Sequence, residues 1–150
     1  MTPTLTLQEE YAAVRQYLDR EMRSTNGNVH TEFYFDPEVE GNTPIPRNLI
    51  RVFVEEVLRS GIQGEHPDAT LSISLHKSSL GILIMVAESG FRNGNGKPSG
   101  GIQSEGLRIL SSYLPVFNRK HQITISYKIL YLTSENGSPG TRVMITLKDQ

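Results

Sequence analysis

Cysteine is absent from the 150 residues. That excludes a disulfide framework, a thiol nucleophile and a thiolate metal site, and it suits a protein of the cytoplasm. Charge of one sign is lacking as well: 15 basic residues face 16 acidic ones, for a formal net charge of −1. No bulk electrostatic attraction to nucleic acid or to an acidic membrane surface follows from such a balance. No apolar run approaches the roughly 20 residues that a spanning helix needs. The start, Met1-Thr2-Pro3-Thr4, has no basic segment followed by an apolar one, so no secretory signal is expected and any membrane sensor would lie outside this chain. The four histidines, His30, His66, His76 and His121, lack the close spacing of a metal site. They read as ordinary histidines of strands or loops. No nucleophile elbow supports Ser-His-Asp catalysis.

What the chain does have is one strongly patterned stretch, Thr43 to Ile62. Leu49, Ile50, Phe53, Val54, Val57 and Leu58 recur at the three-to-four residue spacing of a helix with one broad buried face. Pro46 is placed to occupy its first turn, and Gly61 to end it in a left-handed conformation. Glu55 and Glu56 are left beside the stripe. Spacing alone fits them to a solvated face, because carboxylates are mostly exposed.

Around this helix the rest falls into order. Thr6-Leu7-Gln8-Glu9 is a capping box, and Leu7, Tyr11, Val14, Leu18 and Met22 continue an amphipathic helix to about Arg23. Its narrow stripe fits either packing on its own domain or pairing with a second copy. Val29 to Phe35 alternates as a strand that Asp36-Pro37 ends. Leu71, Ile73 and Leu75 alternate in a second strand, Ser78-Ser79-Leu80-Gly81 turns it, and Ile82 to Val86 is an unbroken apolar run expected to be covered on both faces. Residues Glu88 to Gln103 form a long Gly-rich segment of the kind that serves as a functional lid. A third helix is expected from Ser104 to about Leu114, and a closing hairpin from Ile123 to Leu147. The whole reads as an α+β, two-layer sandwich: a mixed, mostly antiparallel five-stranded sheet with three helices on one face.

This series resembles the ATP-binding domain of sensor histidine kinases, the Bergerat or GHKL fold, and within it the autolysin-regulator type. The resemblance rests on Leu7-Gln8-Glu9-Glu10, Tyr17-Leu18, Asp36-Pro37-Glu38, Ile45-Pro46, the Glu55-Glu56 helix, Glu88-Ser89-Gly90, Gly106-Leu107-Arg108 and the closing Gly137-Ser138-Pro139-Gly140 hairpin, and it covers nearly the whole chain. It implies a 1–24 helix leading from an upstream segment and a 25–150 ATPase-like domain. It also implies ATP and Mg²⁺ as ligands if the site works, and a phosphoacceptor histidine on another segment. The implied partners are an upstream dimerisation or sensor module, a response regulator and, where the first helix pairs, a second copy, with no nucleic acid.

Site residues carry over unevenly. Glu55 is kept and would orient the chemistry, whereas Glu56 stands where the family has the asparagine that holds Mg²⁺; a carboxylate can ligate Mg²⁺ but adds charge beside phosphates. Glu88 replaces the aspartate that binds the adenine amino group, followed by Gly90. Ser104-Glu105-Gly106-Leu107-Arg108-Ile109 keeps only Gly106 and Leu107 of the family's Gly-x-Gly-Leu-x-Asn, whose N–H groups face the phosphates. Arg59, Lys97 and Gly101 complete the candidate contacts, the last two in the lid over residues 92–103. Lys97 is not followed by the Lys-Ser or Lys-Thr helix start of a phosphate loop. The pattern is that of a degenerate nucleotide site. The competing expectations are a kinase-type domain with ATP binding weakened or lost, a competent ATP/Mg²⁺ module, and a stand-alone interaction module on the same scaffold.

Overall fold

The computed structural model describes residues 4–23, 29–61, 69–89, 104–132 and 140–149. Five alternating segments form one sheet: β2 (Val29–Phe35), β4 (Ala69–Ser78), β5 (Gly81–Ser89), β6 (Ile123–Leu132) and β7 (Gly140–Asp149), in the order β2-β4-β5-β7-β6. β2 and β4 pair in parallel and the other pairs are antiparallel. The one parallel pair has a helix between its strands, as parallel neighbours need a crossover. A separate ribbon of β1 (Thr4–Thr6) and β3 (Pro44–Pro46) joins the start of the chain to the segment before the central helix.

The helices are α1 (Leu7–Arg23), α2 (Leu49–Gly61) and α3 (Glu105–His121). Side chains alternate across a strand, so each strand offers one face to them. Leu71, Ile73 and Leu75 of β4, Ile82, Ile84 and Val86 of β5, and Val143, Ile145 and Leu147 of β7 are buried with Phe53, Val54, Leu107 and Phe117 of the helices. The mixed α+β sandwich therefore stands as read. Leu7, Val14 and Leu18 of α1 belong to the same core, so the narrow stripe of that helix is used within the chain.

Four expectations are corrected. Pro46 lies in β3 and α2 begins three residues later, because Ile45 and Pro46 are taken into the ribbon with Leu5 and Thr4. Ile82 to Val86 is covered on one face only: β5 is central, but Leu83 and Met85 point to the uncovered side and are half-buried. α3 runs through Pro115 to His121. The proline costs a helical hydrogen bond, yet Phe117 is fully buried, the Asn118 amide exchanges two hydrogen bonds with the Ile125 backbone (3.0 and 3.2 Å), and left-handed Gln122 closes the end. His121 is thereby helical, stacked on Phe117 at 4.2 Å, rather than in a strand or loop.

Candidate functional site

α2 carries the two carboxylates, and its start is fixed by a third that the periodicity left unassigned. The Glu10 carboxylate, 1% exposed, accepts the N–H of Asn48 on Oε1 (3.0 Å) and those of Ile50 and Arg51 on Oε2 (3.1 and 3.2 Å). The first turn of a helix lacks partners for its N–H groups and favours negative charge. Asn48 takes a left-handed φ of 70° to make this turn, a conformation that asparagine tolerates better than most residues. Burial pushes the Glu10 carboxyl up, while the three N–H groups and Arg51 pull it down. The signal for Glu10 in the sequence is a carboxylate at a stripe position, three residues after Leu7 and four before Val14.

Consecutive helical residues point about 100° apart, so Glu55 and Glu56 part company. Glu55 faces solvent and pairs with Arg51 at 2.9 Å, one turn earlier, while the Arg51 guanidinium lies 4.3 Å over the Tyr17 ring. Glu56 turns inward, 6% exposed, and its Oε2 accepts the Ser104 N–H at 3.3 Å. Ser104 is the N-cap of α3: its hydroxyl accepts the Leu107 N–H at 3.1 Å and its carbonyl that of Arg108 at 3.0 Å. Leu107 is fully buried, so its side chain serves the core. A Cβ on Gly106 would meet Val52 Cγ2 of α2 at 3.6 Å, an ordinary contact.

Glu88 ends the inward row of β5, 6% exposed, between Leu71 of β4 and Thr141 of β7. Its backbone forces the neighbouring chain close: a Cβ on Gly140 would lie 2.2 Å from the Glu88 carbonyl oxygen, so this position admits only glycine without a shift. The helix packed across this strand is α2. The structure thus brings Glu56, Ser104, Gly106 and Leu107 together at the α2–α3 junction and sets Glu88 on the same, helix-covered side of the sheet. Glu55 is held outside. Gly90, Lys97, Gly101 and the Arg59 side chain lie outside the described residues. Among the described residues no three His, Asp or Glu side chains converge as a metal site, and no helix is long and apolar enough to cross a membrane.

No protein-family model and no curated protein matches the chain in sequence. Solved structures do match in fold, over its whole length. The catalytic domain of histidine kinase ThkA superposes with a TM-score of 0.56 at 14% identity, covering 99% of this chain and 97% of that one. The mycobacterial sensor histidine kinase MprB gives 0.57 at 11%, with 99% of both chains covered. ThkA in complex with response regulator protein TrrA gives 0.52 at 12%, covering 98% of this chain and 42% of that one. The chain has the fold of histidine-kinase catalytic domains.

Proposed function

We propose that this chain is the ATPase-like domain of a two-component signalling kinase of the autolysin-regulator type, with its nucleotide site weakened or lost. The observation that carries the reading is the buried carboxylate of Glu56 on the N–H of Ser104, the N-cap of α3. In the resemblance, that helix start faces phosphates and the Glu56 position holds Mg²⁺. A donor set that puts a carboxylate there does not fit a magnesium triphosphate as it stands, because the anion needs that N–H and that space. Glu105 adds a second negative charge at the same helix start. ThkA is a kinase solved with a response regulator, and a response regulator is the partner class proposed for the protein to which this domain belongs.

A competent site is the second reading, and Glu88 favours it. A carboxylate is retained at the end of the central strand, buried on the helix side, where the resemblance places the adenine acceptor. Calorimetric titration with ATP and a non-hydrolysable analogue, with and without Mg²⁺, separates the two. No heat up to millimolar nucleotide from the folded chain is the expected result. Micromolar, Mg²⁺-dependent binding would establish a working variant site and remove the degenerate reading.

A further inference from the structure

The start of a helix is short of partners for its N–H groups and is the positive end of a dipole. In α3 two of these groups are met from within the chain: Leu107 donates to the Ser104 hydroxyl, and the Ser104 N–H, at the N-cap itself, donates to Glu56 Oε2 at 3.3 Å. We propose that Glu56 is a built-in anion, an autoinhibitory contact whose carboxylate holds the place at the α3 start that a ligand phosphate would need. The proposal rests on the reading above for the identity of the displaced ligand, and on the Glu56–Ser104 contact for the device itself.

Three features support it. Glu56 is 6% exposed, on a helix whose neighbouring positions Val52, Phe53 and Val57 are core, so its carboxylate is held at the α2–α3 junction and not in bulk solvent. A second anion brought to the Ser104 N–H would meet a like charge at contact distance, where little water screens it. The adjacent Glu55 cannot stand in for it, because its carboxylate is on the outer face with Arg51. Glu56 thus does from inside what a phosphate would do from outside.

The test uses the whole chain and two variants, Glu56→Gln, which keeps the shape and removes the charge, and Glu56→Ala, which removes both. Amide hydrogen exchange at Ser104 and amide shifts of residues 104 to 108 are followed by NMR while inorganic pyrophosphate is added. In the parent, the Ser104 amide is protected and pyrophosphate moves nothing. In Glu56→Ala the Ser104 amide exchanges at least about tenfold faster than in the parent, a free-energy difference of roughly 1.4 kcal/mol, with β4 and β5 amides unchanged. In both variants pyrophosphate then shifts the Ser104–Arg108 amides. Unchanged Ser104 exchange in Glu56→Ala, or no pyrophosphate response in a folded Glu56→Gln chain, overturns the proposal. ATP that binds these variants no better than pyrophosphate would sink the nucleotide reading and leave the internal anion standing.

Discussion

Glu10 offers a direct test of how the fold holds α2 in place. Replacing it by glutamine keeps the shape but leaves one oxygen where two now accept three N–H groups. If the amide oxygen serves Ile50 and Arg51, the Asn48 N–H faces an NH₂ and loses its acceptor. An orphaned buried donor costs about 1–3 kcal/mol, and losing a negative charge at a helix start about 0.3–2 kcal/mol. Burial outweighs the N–H groups and Arg51 in the raised pKa, so removing the cost of burying the charge offsets the lost helix-start charge, and Glu10→Gln should destabilise by about 1–2 kcal/mol through the orphaned Asn48 N–H. Glu10→Ala, which orphans all three and leaves a cavity, should cost about 4 kcal/mol. Urea unfolding at pH 7 reads both as a lowered midpoint with an unchanged slope. The sign of the pH dependence follows from the same residue. Burial holds the folded carboxyl above its ordinary value of 4.5, so between the unfolded and folded values the native state binds more protons than the unfolded one. Stability contributed by this group is therefore fully present below the unfolded value and falls as pH rises through the folded one. That slope should vanish in Glu10→Gln. A Glu10→Gln chain as stable as the parent at pH 7, with its pH slope intact, would refute the capping role.

Asp36 should act in the opposite sense. Its exposed carboxylate accepts the Glu38 and Lys77 N–H groups (3.0 and 3.1 Å), which holds its pKa below the ordinary 3.8. Its stabilisation is present above that value and is lost as pH falls through the lowered one, so thermal melts of Asp36→Asn should show a flatter acid limb. Gly140→Ala drives a Cβ into the Glu88 carbonyl oxygen and should cost about 3 kcal/mol, at the top of the range for overpacking; a loss under about 1 kcal/mol in urea would mean the β5–β7 ladder shifts freely. Glu56→Asn combined with Glu88→Asp should bind Mg²⁺-ATP at least about tenfold tighter than the parent by calorimetry. A folded double variant that binds no better would remove the account of the site as degenerate.

The fold was largely legible because its signals are periodic. Thr6 and Glu9 exchange the two capping-box hydrogen bonds at 2.9 and 3.1 Å, β2, β4, β6 and β7 lie where alternation puts them, and β5 lies where the apolar run does. What escaped depends on contacts between residues distant in sequence. The β1–β3 ribbon pairs segments about 40 residues apart, so its three-residue strands carry no local pattern. Pro115 reads as a stop in the sequence, but Phe117 and the Asn118–Ile125 pairing continue the helix through tertiary packing. The Ile82–Val86 run has no polar alternation because Leu83 and Met85 lie on a central strand, where even the uncovered face is only partly wet. For the site, the sequence placed both carboxylates on α2. It could not say which one turns inward, since that depends on helical phase against α3.

That phase bears on what keeps the scaffold folded. A buried carboxylate is costly unless it is hydrogen-bonded, and a buried helix start is costly unless it is capped. At the α2 and α3 starts each need answers the other: Glu10 meets three N–H groups and Glu56 meets the N-cap of α3. Both helix starts thus have part of their need met by the chain's own carboxylates. A site that waits for its anion behaves differently, because a ligand present at a thousand times its Kd adds about 4 kcal/mol to stability by mass action. The melting temperature of the parent should therefore stay in place with millimolar Mg²⁺-ATP, and shift clearly upward with it once Glu56 is made neutral. If nucleotide stabilised the parent as strongly as it did the Glu56→Gln chain, the carboxylate would not be occupying the position assigned to it.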